Sequence, residues 1–308
     1  MSPDRPRLLV VGGNGFIGRH IVNHALGMGW SISSLSLSLP VVGDRIDGVV
    51  YLAADIANSD ELKKALPEPC FEYVVNCGGY INHAIFSAGG QTVFNAHFFG
   101  VLHLSQLLNR DALVAYVNIG SSDEYGGNQA PQIETQREAP ISPYSFGKVA
   151  ATHLLEMLYR TEAFPSTTLR LFLTYGPGQD AGRFLPQIIK GCLDGRAFPT
   201  SGGQQLRDFC FVGDTVAAVF AAFVKPVARG QTINIGSGVG VSVRQMIQTV
   251  QSLIGRGQPL FGQVAYRPGE SMALYADVAK AKELLGWSAS VPLEAGLLQT
   301  IQWVEGRV

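Results

Sequence analysis

The chain has 308 residues, of which 46% are hydrophobic and 15% charged, and 23 basic against 24 acidic side chains leave a formal net charge of −1. That length suits one large α/β unit or two lobes. The charge balance gives no electrostatic reason to expect nucleic acid or an anionic membrane as partner. The longest strongly apolar stretch near a helix, Val216 to Val224, falls far short of the ~20 residues that span a bilayer.

Met1 to Pro6 runs straight into the apolar strand Leu8-Leu9-Val10-Val11, too short for a signal-peptide core, so the expected address is cytoplasmic. From there short apolar strands alternate with helical periods, the pattern of a parallel sheet covered on both faces. Strands are predicted at Arg7–Val11, Ser31–Leu35, Val49–Ala53, Tyr73–Asn76, Ala115–Ile119 and Thr167–Phe172. Helices are predicted at Phe16–Leu26, Ser59–Ala65, Gln91–Leu108 and Tyr144–Thr161. The fold expected is a Rossmann-type doubly wound parallel sheet over residues 1–171, with a smaller α/β substrate lobe over 172–308. In that second part, helices are predicted at Arg183–Leu193, Val243–Ile254 and Ala279–Leu285. Asp208–Val224 reads as a helix and Thr232–Ile235 as a strand, so 208–236 is expected to return to the main sheet.

The first strand ends in Gly12-Gly13-Asn14-Gly15-Phe16-Ile17-Gly18, followed by an amphipathic helix. Glycines there let the backbone turn sharply and approach a pyrophosphate, whose charge sits at the helix N-terminus. Gly12, Gly15, Phe16, Ile17 and Gly18 are therefore candidate cofactor contacts. NAD sites carry an acidic residue ≈ 20 positions on for the ribose hydroxyls. Here Ser36 stands where that acid is expected, within Ser33-Ser34-Leu35-Ser36-Leu37-Ser38. Loss of the carboxylate removes a repulsion against a 2′-phosphate, and Arg19 with the hydroxyls supplies donors, so NADP is favoured over NAD.

Tyr144 and Lys148 are four apart and share one helix face. Tyrosine, with an ordinary pKa of about 10, is a poor base at neutral pH; lowering it by ~3 units takes about 4 kcal/mol, which a nearby ammonium and a positive nicotinamide ring can supply together. Four cysteines, Cys70, Cys77, Cys192 and Cys210, show no Cys-x-x-Cys spacing and read as buried reduced thiols. His20 and His24 lie one helical turn apart without the adjacent Glu of a zinc hydrolase, so no metal is expected.

The Gly-rich turn, the turn Gly120-Ser121-Ser122-Asp123-Glu124-Tyr125-Gly126 and Tyr144-Ser145-Phe146-Gly147-Lys148, in this order and separation, resemble the extended short-chain dehydrogenase/reductase family, also called the NAD-dependent epimerase/dehydratase family. Its members mostly modify nucleotide-linked sugars. The resemblance implies that Ser121, four residues before Tyr125-Gly126, bonds the reacting sugar oxygen beside Tyr144 as acid/base and Lys148, and it counts Tyr144 and Lys148 among the cofactor contacts as well. It assigns Asp55-Ile56 to the adenine, although an N-cap role for Asp55 is equally economical. It also makes Arg207, in Leu206-Arg207-Asp208-Phe209, and Arg267, in Arg267-Pro268-Gly269-Glu270, candidates for diphosphate contacts.

Dehydratases of the family place an extra acid and base beside the catalytic hydroxyl; here Ser122-Asp123 stands there, with Ser122 counted among substrate contacts and Asp123 as a shortened candidate acid/base. The turn most resembles reductases of nucleotide-linked 4-keto-6-deoxyhexoses, which makes a 4-ketoreductase the first expectation. A 4-epimerase is the nearest alternative, then a 4,6-dehydratase, and a nicotinamide-sensing protein without turnover is the alternative from another class. Leu173 and His97 stand where relatives carry Asn, and Tyr80 and His83, in an unusual loop, are candidate sugar contacts. Relatives pair through two long helices, so a homodimer is expected.

Overall fold

The computed structural model describes residues 5–266 and 269–306. The first half runs β1 (Arg7–Val11), α1 (Phe16–Gly27), β2 (Ser31–Ser36), β3 (Val49–Ala53), α2 (Ser59–Ala65), β4 (Tyr73–Asn76), α3 (Gly90–Leu107), β5 (Ala115–Ser121), α4 (Pro143–Glu162) and β6 (Ser166–Leu171). Next come β7 (Leu173–Tyr175), α5 (Phe184–Leu193), β8 (Ala197–Thr200), β9 (Leu206–Phe211), α6 (Val212–Val224), β10 (Thr232–Ile235) and β11 (Gly240–Ser242). The chain closes with α7 (Val243–Ile254), β12 (Gln258–Phe261), β13 (Ala273–Leu274), α8 (Ala279–Leu285) and α9 (Leu293–Glu305).

Seven parallel strands form the main sheet in the order β10-β6-β5-β4-β1-β2-β3. Strands covered on both faces have no polar side to show, which is why β1 reads as the unbroken run Leu8 to Val11, every residue buried. One face packs against α1, α6 and α8 through Ile21, Val216, Val219 and Leu285. The other packs against α2, α3 and α4 through Leu62, Leu104 and Leu155. Each such side chain taken from water contributes about 1.5–3 kcal/mol. Strand order reverses between β1 and β4, so a crevice opens at their carboxyl ends, the usual ligand position in open α/β sheets.

A second core, built on Ile188, Phe209, Met246 and Leu297, joins α5, α7 and α9 to a small sheet in the order β11-β9-β13, with β7 also paired to β9. Two expectations change here. Asp208–Val224 is not one helix: Asp208 to Phe211 belong to β9, and α6 begins only at Val212. A short apolar run at the mouth of a helix carries no periodicity that separates strand from helix, and pairing with three distant strands decides the matter. Arg183 caps α5 rather than lying within it. Helix α6 nevertheless packs on the main sheet, and β10 forms its edge beside β6. The cysteines are free, Cys192 and Cys210 buried, Cys70 and Cys77 half-buried. Among the described residues, no helix is long and apolar enough to cross a membrane and no cluster of three His, Cys, Asp or Glu could hold a metal ion.

Candidate functional site

At the crevice Gly12 has φ +77, and a Cβ there would lie 2.8 Å from the Cys77 carbonyl oxygen; at Gly18 a Cβ would lie 2.2 Å from the Gly12 oxygen. Only glycine fits either position, so β1 can approach β4 and α1 can approach the turn. Helix α1 follows Gly15 at its N-cap, with no side-chain cap and no acid in its first turn, leaving its N–H groups for an anion. These features fit a dinucleotide pyrophosphate. Phe16 also packs toward the small-lobe core and edge-on to His20, and Ile17 toward the main core.

The ribose side of the site is more specific than the serine run suggested. Ser36 Oγ accepts the Asn14 N–H at 3.2 Å, and Asn14 Nδ2 donates to the Ser38 carbonyl at 2.9 Å. A cavity of about 190 Å³ beside them is lined by Arg19, Ser38 and also Asp44, an acid that sequence reasoning missed because it comes from the short turn Val42–Asp44 and not from the end of β2. Asp55 is not the N-cap of α2. Asn58 is, accepting from Asp60 and Glu61, while Asp55 Oδ1 accepts the Ala57 N–H at 2.9 Å. The Ile56 side chain is buried against Gly78 and Gly100.

Opposite the turn, α4 begins with a capping box in which Ser142 Oγ accepts the Ser145 N–H and Ser145 Oγ accepts the Ser142 N–H. Pro143 at the first position completes this start and sets Tyr144 in the first turn. Ser121 ends β5, one residue before a short helical turn, Ser122–Tyr125, and its Oγ accepts the Asp123 N–H at 3.2 Å. Glu124, fully buried, accepts from the Ser121 N–H at 2.8 Å, Thr152 Oγ1 at 3.1 Å and Arg170 Nε at 2.8 Å. Arg170 also pairs with Glu138 and lies over the Tyr125 ring, and the Tyr125 hydroxyl donates to Asn234. The turn is thus pinned to α4, β6 and β10; removing one partner of such a buried pair costs about 3–5 kcal/mol.

Tyr144 and Lys148 are both buried. Burial first, then the Asp123 carboxylate, raises the Tyr144 phenol above its ordinary value, against a hydrogen bond with Ser121. Lys148 Nζ donates to the Ile119 carbonyl at 2.6 Å, and burial draws its pKa down to about 8 against the pull of Glu124. Two histidine rings stand edge-on to Tyr144: His97, centroid 5.0 Å away, and His83, 5.7 Å away. His97 is buried, bonds the Tyr80 carbonyl at 2.9 Å, and is pushed down to about 3 by burial and then by Lys148. Tyr80 therefore engages the site through its carbonyl, its ring being exposed.

Of the two acids in the Ser121 turn, Asp123 alone is turned outward, its Oδ2 3.9 Å from His83 Nε2. Burial raises its carboxyl, and His83, Arg207 and Arg183 partly offset that. Ser122 is buried. Arg207, on β9, donates to the Leu206 carbonyl at 2.7 Å and pairs with Glu270. Arg267 lies outside the described residues. Arg183 escaped sequence reasoning, and Glu270 entered it only as the last residue of Arg267-Pro268-Gly269-Glu270, with no role of its own.

The fold is a doubly wound α/β sheet with a glycine turn at the strand-order reversal, opposite a tyrosine and a lysine on one helix face. The chain belongs to the NAD dependent epimerase/dehydratase family, whose model matches residues 8–236. It is 29% identical to a dTDP-glucose 4,6-dehydratase of Xanthomonas campestris pv. campestris, over 96% of this chain and 92% of that one. Among solved structures it resembles UDP-glucose 4-epimerase with UDP-glucose from Thermotoga maritima, with 27% identity, a TM-score of 0.90 and 98% and 99% of the two chains covered. It also resembles MoeE5 in complex with UDP-glucuronic acid and NAD, with 26% identity, a TM-score of 0.85 and 98% and 100% covered. It is thus a member of an NAD-dependent enzyme family of nucleotide-sugar epimerases and dehydratases.

Proposed function

We propose that the chain is a nucleotide-sugar oxidoreductase acting at C4, whose net reaction reduces the 4-keto group of a nucleotide-linked 4-keto-6-deoxyhexose. The observation that carries this reading is Tyr144: buried, and with its phenol held above its ordinary pKa by burial and then by Asp123, it keeps its proton and is set to donate it. The bound dinucleotide supplies the hydride. As the carbonyl oxygen gains negative charge, Ser121 donates a hydrogen bond to it and Tyr144 transfers its proton. Lys148 fixes the end of β5 through Ile119 and favours the phenolate left behind. Arg207, released from Glu270, takes the diphosphate.

A dehydratase route would work through Asp123, whose carboxylate reaches one methylene less far than the glutamate such a route uses, and this places it behind the reductase. The second reading is a 4-epimerase, favoured by the likeness to UDP-glucose 4-epimerase and by the same three side chains working in both directions. For the cofactor we favour NADP, with Arg19, Ser36 and Ser38 as donors to the 2′-phosphate; Asp44 in the same cavity is the feature that would favour NAD. A homodimer through α3 and α4 completes the proposal, since these helices pack together and leave Phe99, Phe146 and Met157 exposed.

The test incubates the protein with NADPH or NADH and CDP-, GDP-, dTDP- and UDP-4-keto-6-deoxyhexoses, following cofactor absorbance and sugar products. Stoichiometric loss of reduced cofactor with a new deoxyhexose is expected, faster with NADPH, and Tyr144→Phe should lower turnover by about 10²–10⁴-fold with cofactor affinity unchanged. No net consumption, with conversion of ordinary nucleotide hexoses instead, would move the assignment to the epimerase.

A further inference from the structure

Ser121 can donate to a sugar oxygen only if its one hydroxyl proton is kept from nearby acceptors. A serine hydroxyl offers that proton and two lone pairs, and it rotates freely unless something holds it. Here the Asp123 N–H occupies a lone pair at 3.2 Å, so the hydroxyl meets its own turn as an acceptor and its proton is left for the reacting oxygen. That bond is one half of a capping box. Glu124 is the other half, its Oε1 accepting the Ser121 N–H at 2.8 Å.

The box needs a fixed carboxylate, and three elements fix this one. Glu124 Oε2 accepts from Arg170 Nε on β6 at 2.8 Å and from Thr152 Oγ1 on α4 at 3.1 Å, all three side chains being buried. Gly120, on β5, leaves the room: a Cβ there would lie 2.8 Å from Glu124 Oε1 and 2.9 Å from Thr168 Cγ2. Thr152 follows Tyr144 and Lys148 at intervals of four, so one row of α4 carries the phenol, the ammonium and the hydroxyl that grips Glu124. The carboxylate therefore spans the gap between the end of β5, where Ser121 sits, and the face of α4 that bears Tyr144. Its charge acts on the same groups: behind burial and Asp123 it raises the Tyr144 phenol, and against burial it raises Lys148. Glu138, the other carboxylate on Arg170, reaches out to the exposed His153 at 3.3 Å instead.

We propose that Glu124 is a positioning residue for the reaction at the sugar: gripped by Arg170 and Thr152, its carboxylate holds Ser121 as a donor at the working distance from Tyr144. Enclosed on every side, it touches neither sugar nor dinucleotide, and no bond to it is made or broken in the reaction. The role rests on Ser121 and Tyr144 acting at one sugar oxygen, the part of the proposed function that reduction and epimerisation share. Arg170 neutralises the carboxylate and Thr152 sets its place on the helix. Glu138 belongs to the same ion cluster without that role, which makes it the natural control.

The test compares full-length wild type, Thr152→Val, Glu124→Asp and Glu138→Gln on whichever sugar nucleotide the wild type converts, from the 4-keto-6-deoxyhexose panel or from ordinary nucleotide hexoses. It measures kcat, KM, dinucleotide affinity and Tm. Thr152→Val keeps the ion pair and removes only the grip on Glu124. Its kcat should fall about tenfold, and that of Glu124→Asp, one methylene short, about 10²-fold, the loss that a misplacement of about 1 Å brings. KM and dinucleotide affinity should stay at wild-type values. Glu138→Gln should lower Tm and leave kcat unchanged. In a Ser121→Ala background Thr152→Val should cost nothing further, because its effect passes through Ser121. Should Glu124→Asp not fold, Thr152→Val decides. An unchanged kcat in Thr152→Val, the same loss repeated in the Ser121→Ala background, or losses in all three variants that track Tm overturn the positioning role and leave the reductase standing. A wild type that epimerises without reducing overturns the reductase, and the same comparison then decides the role of Glu124 in epimerisation. A wild type that converts none of these sugars overturns both.

Discussion

Lys148 carries its charge in a place that penalises it. Its pKa, drawn from 10.5 to about 8, means that between those values the unfolded chain holds a proton that the folded one has released. Stability therefore rises with pH through that window, and at pH 7 the buried ammonium costs the fold about 3 kcal/mol. Lys148→Met removes the charge but leaves the Ile119 carbonyl without its donor, a loss of about 1–2 kcal/mol. The variant should be inactive yet at least as stable as wild type at pH 7, by about 1 kcal/mol, with the advantage fading as pH climbs past 8. Thermal unfolding across pH 6 to about 10 checks this; a variant that melts below wild type at pH 7 would refute it. The Tyr144 and Lys148 pair was legible in the sequence because i, i+4 spacing fixes a shared helix face. The partners were not. That Lys148 bonds Ile119, and that His83 and His97 flank the phenol, depends on how the loop after β4 folds back, and no local pattern in Tyr80-Ile81-Asn82-His83 encodes that.

At the level of elements, the glycine turn is the tightest joint in the molecule. Gly18→Ala would set a Cβ 2.2 Å from the Gly12 oxygen, and backbone on backbone leaves no flexible side chain to yield. The turn must open, so dinucleotide affinity should fall at least tenfold and stability by about 1–3 kcal/mol. Titration calorimetry with NADPH and NADH, alongside a melting curve, measures both, and unchanged affinity for each cofactor would show that the turn does not carry the pyrophosphate. Elements of this half were readable because strands such as β1 and β3 are apolar runs and the helices between them amphipathic periods, bounded by Gly, Pro or a cap. The small sheet was not. Strands β7, β11 and β13 have three, three and two residues, too few to display alternation, and β9 runs directly into α6, so Asp208 to Phe211 borrowed the helical appearance of the segment after it.

For the whole molecule, the proposed pairing through α3 and α4 predicts a mass near twice the chain's 33.0 kDa in sedimentation equilibrium, and a monomer at all accessible concentrations would exclude it. The sheet order could be anticipated from alternating strands and helices, and the crevice from the place where that order reverses. That Arg183, Arg207 and Glu270 reach Asp123 from the second half could not be, Arg207 being expected only at the diphosphate, because their approach depends on tertiary packing of short pieces. That packing has one more effect. Between β7 and β10 the chain leaves the large sheet, builds β9, and comes back as α6 and β10, while α8 returns once more from beyond β13. A gene cut after Leu171 would leave α1 alone on one sheet face and strip β6 of its neighbour β10. Recombination between relatives with different sugar preferences must therefore exchange at least two separate stretches of coding sequence together, and libraries built on a single crossover should yield few folded progeny.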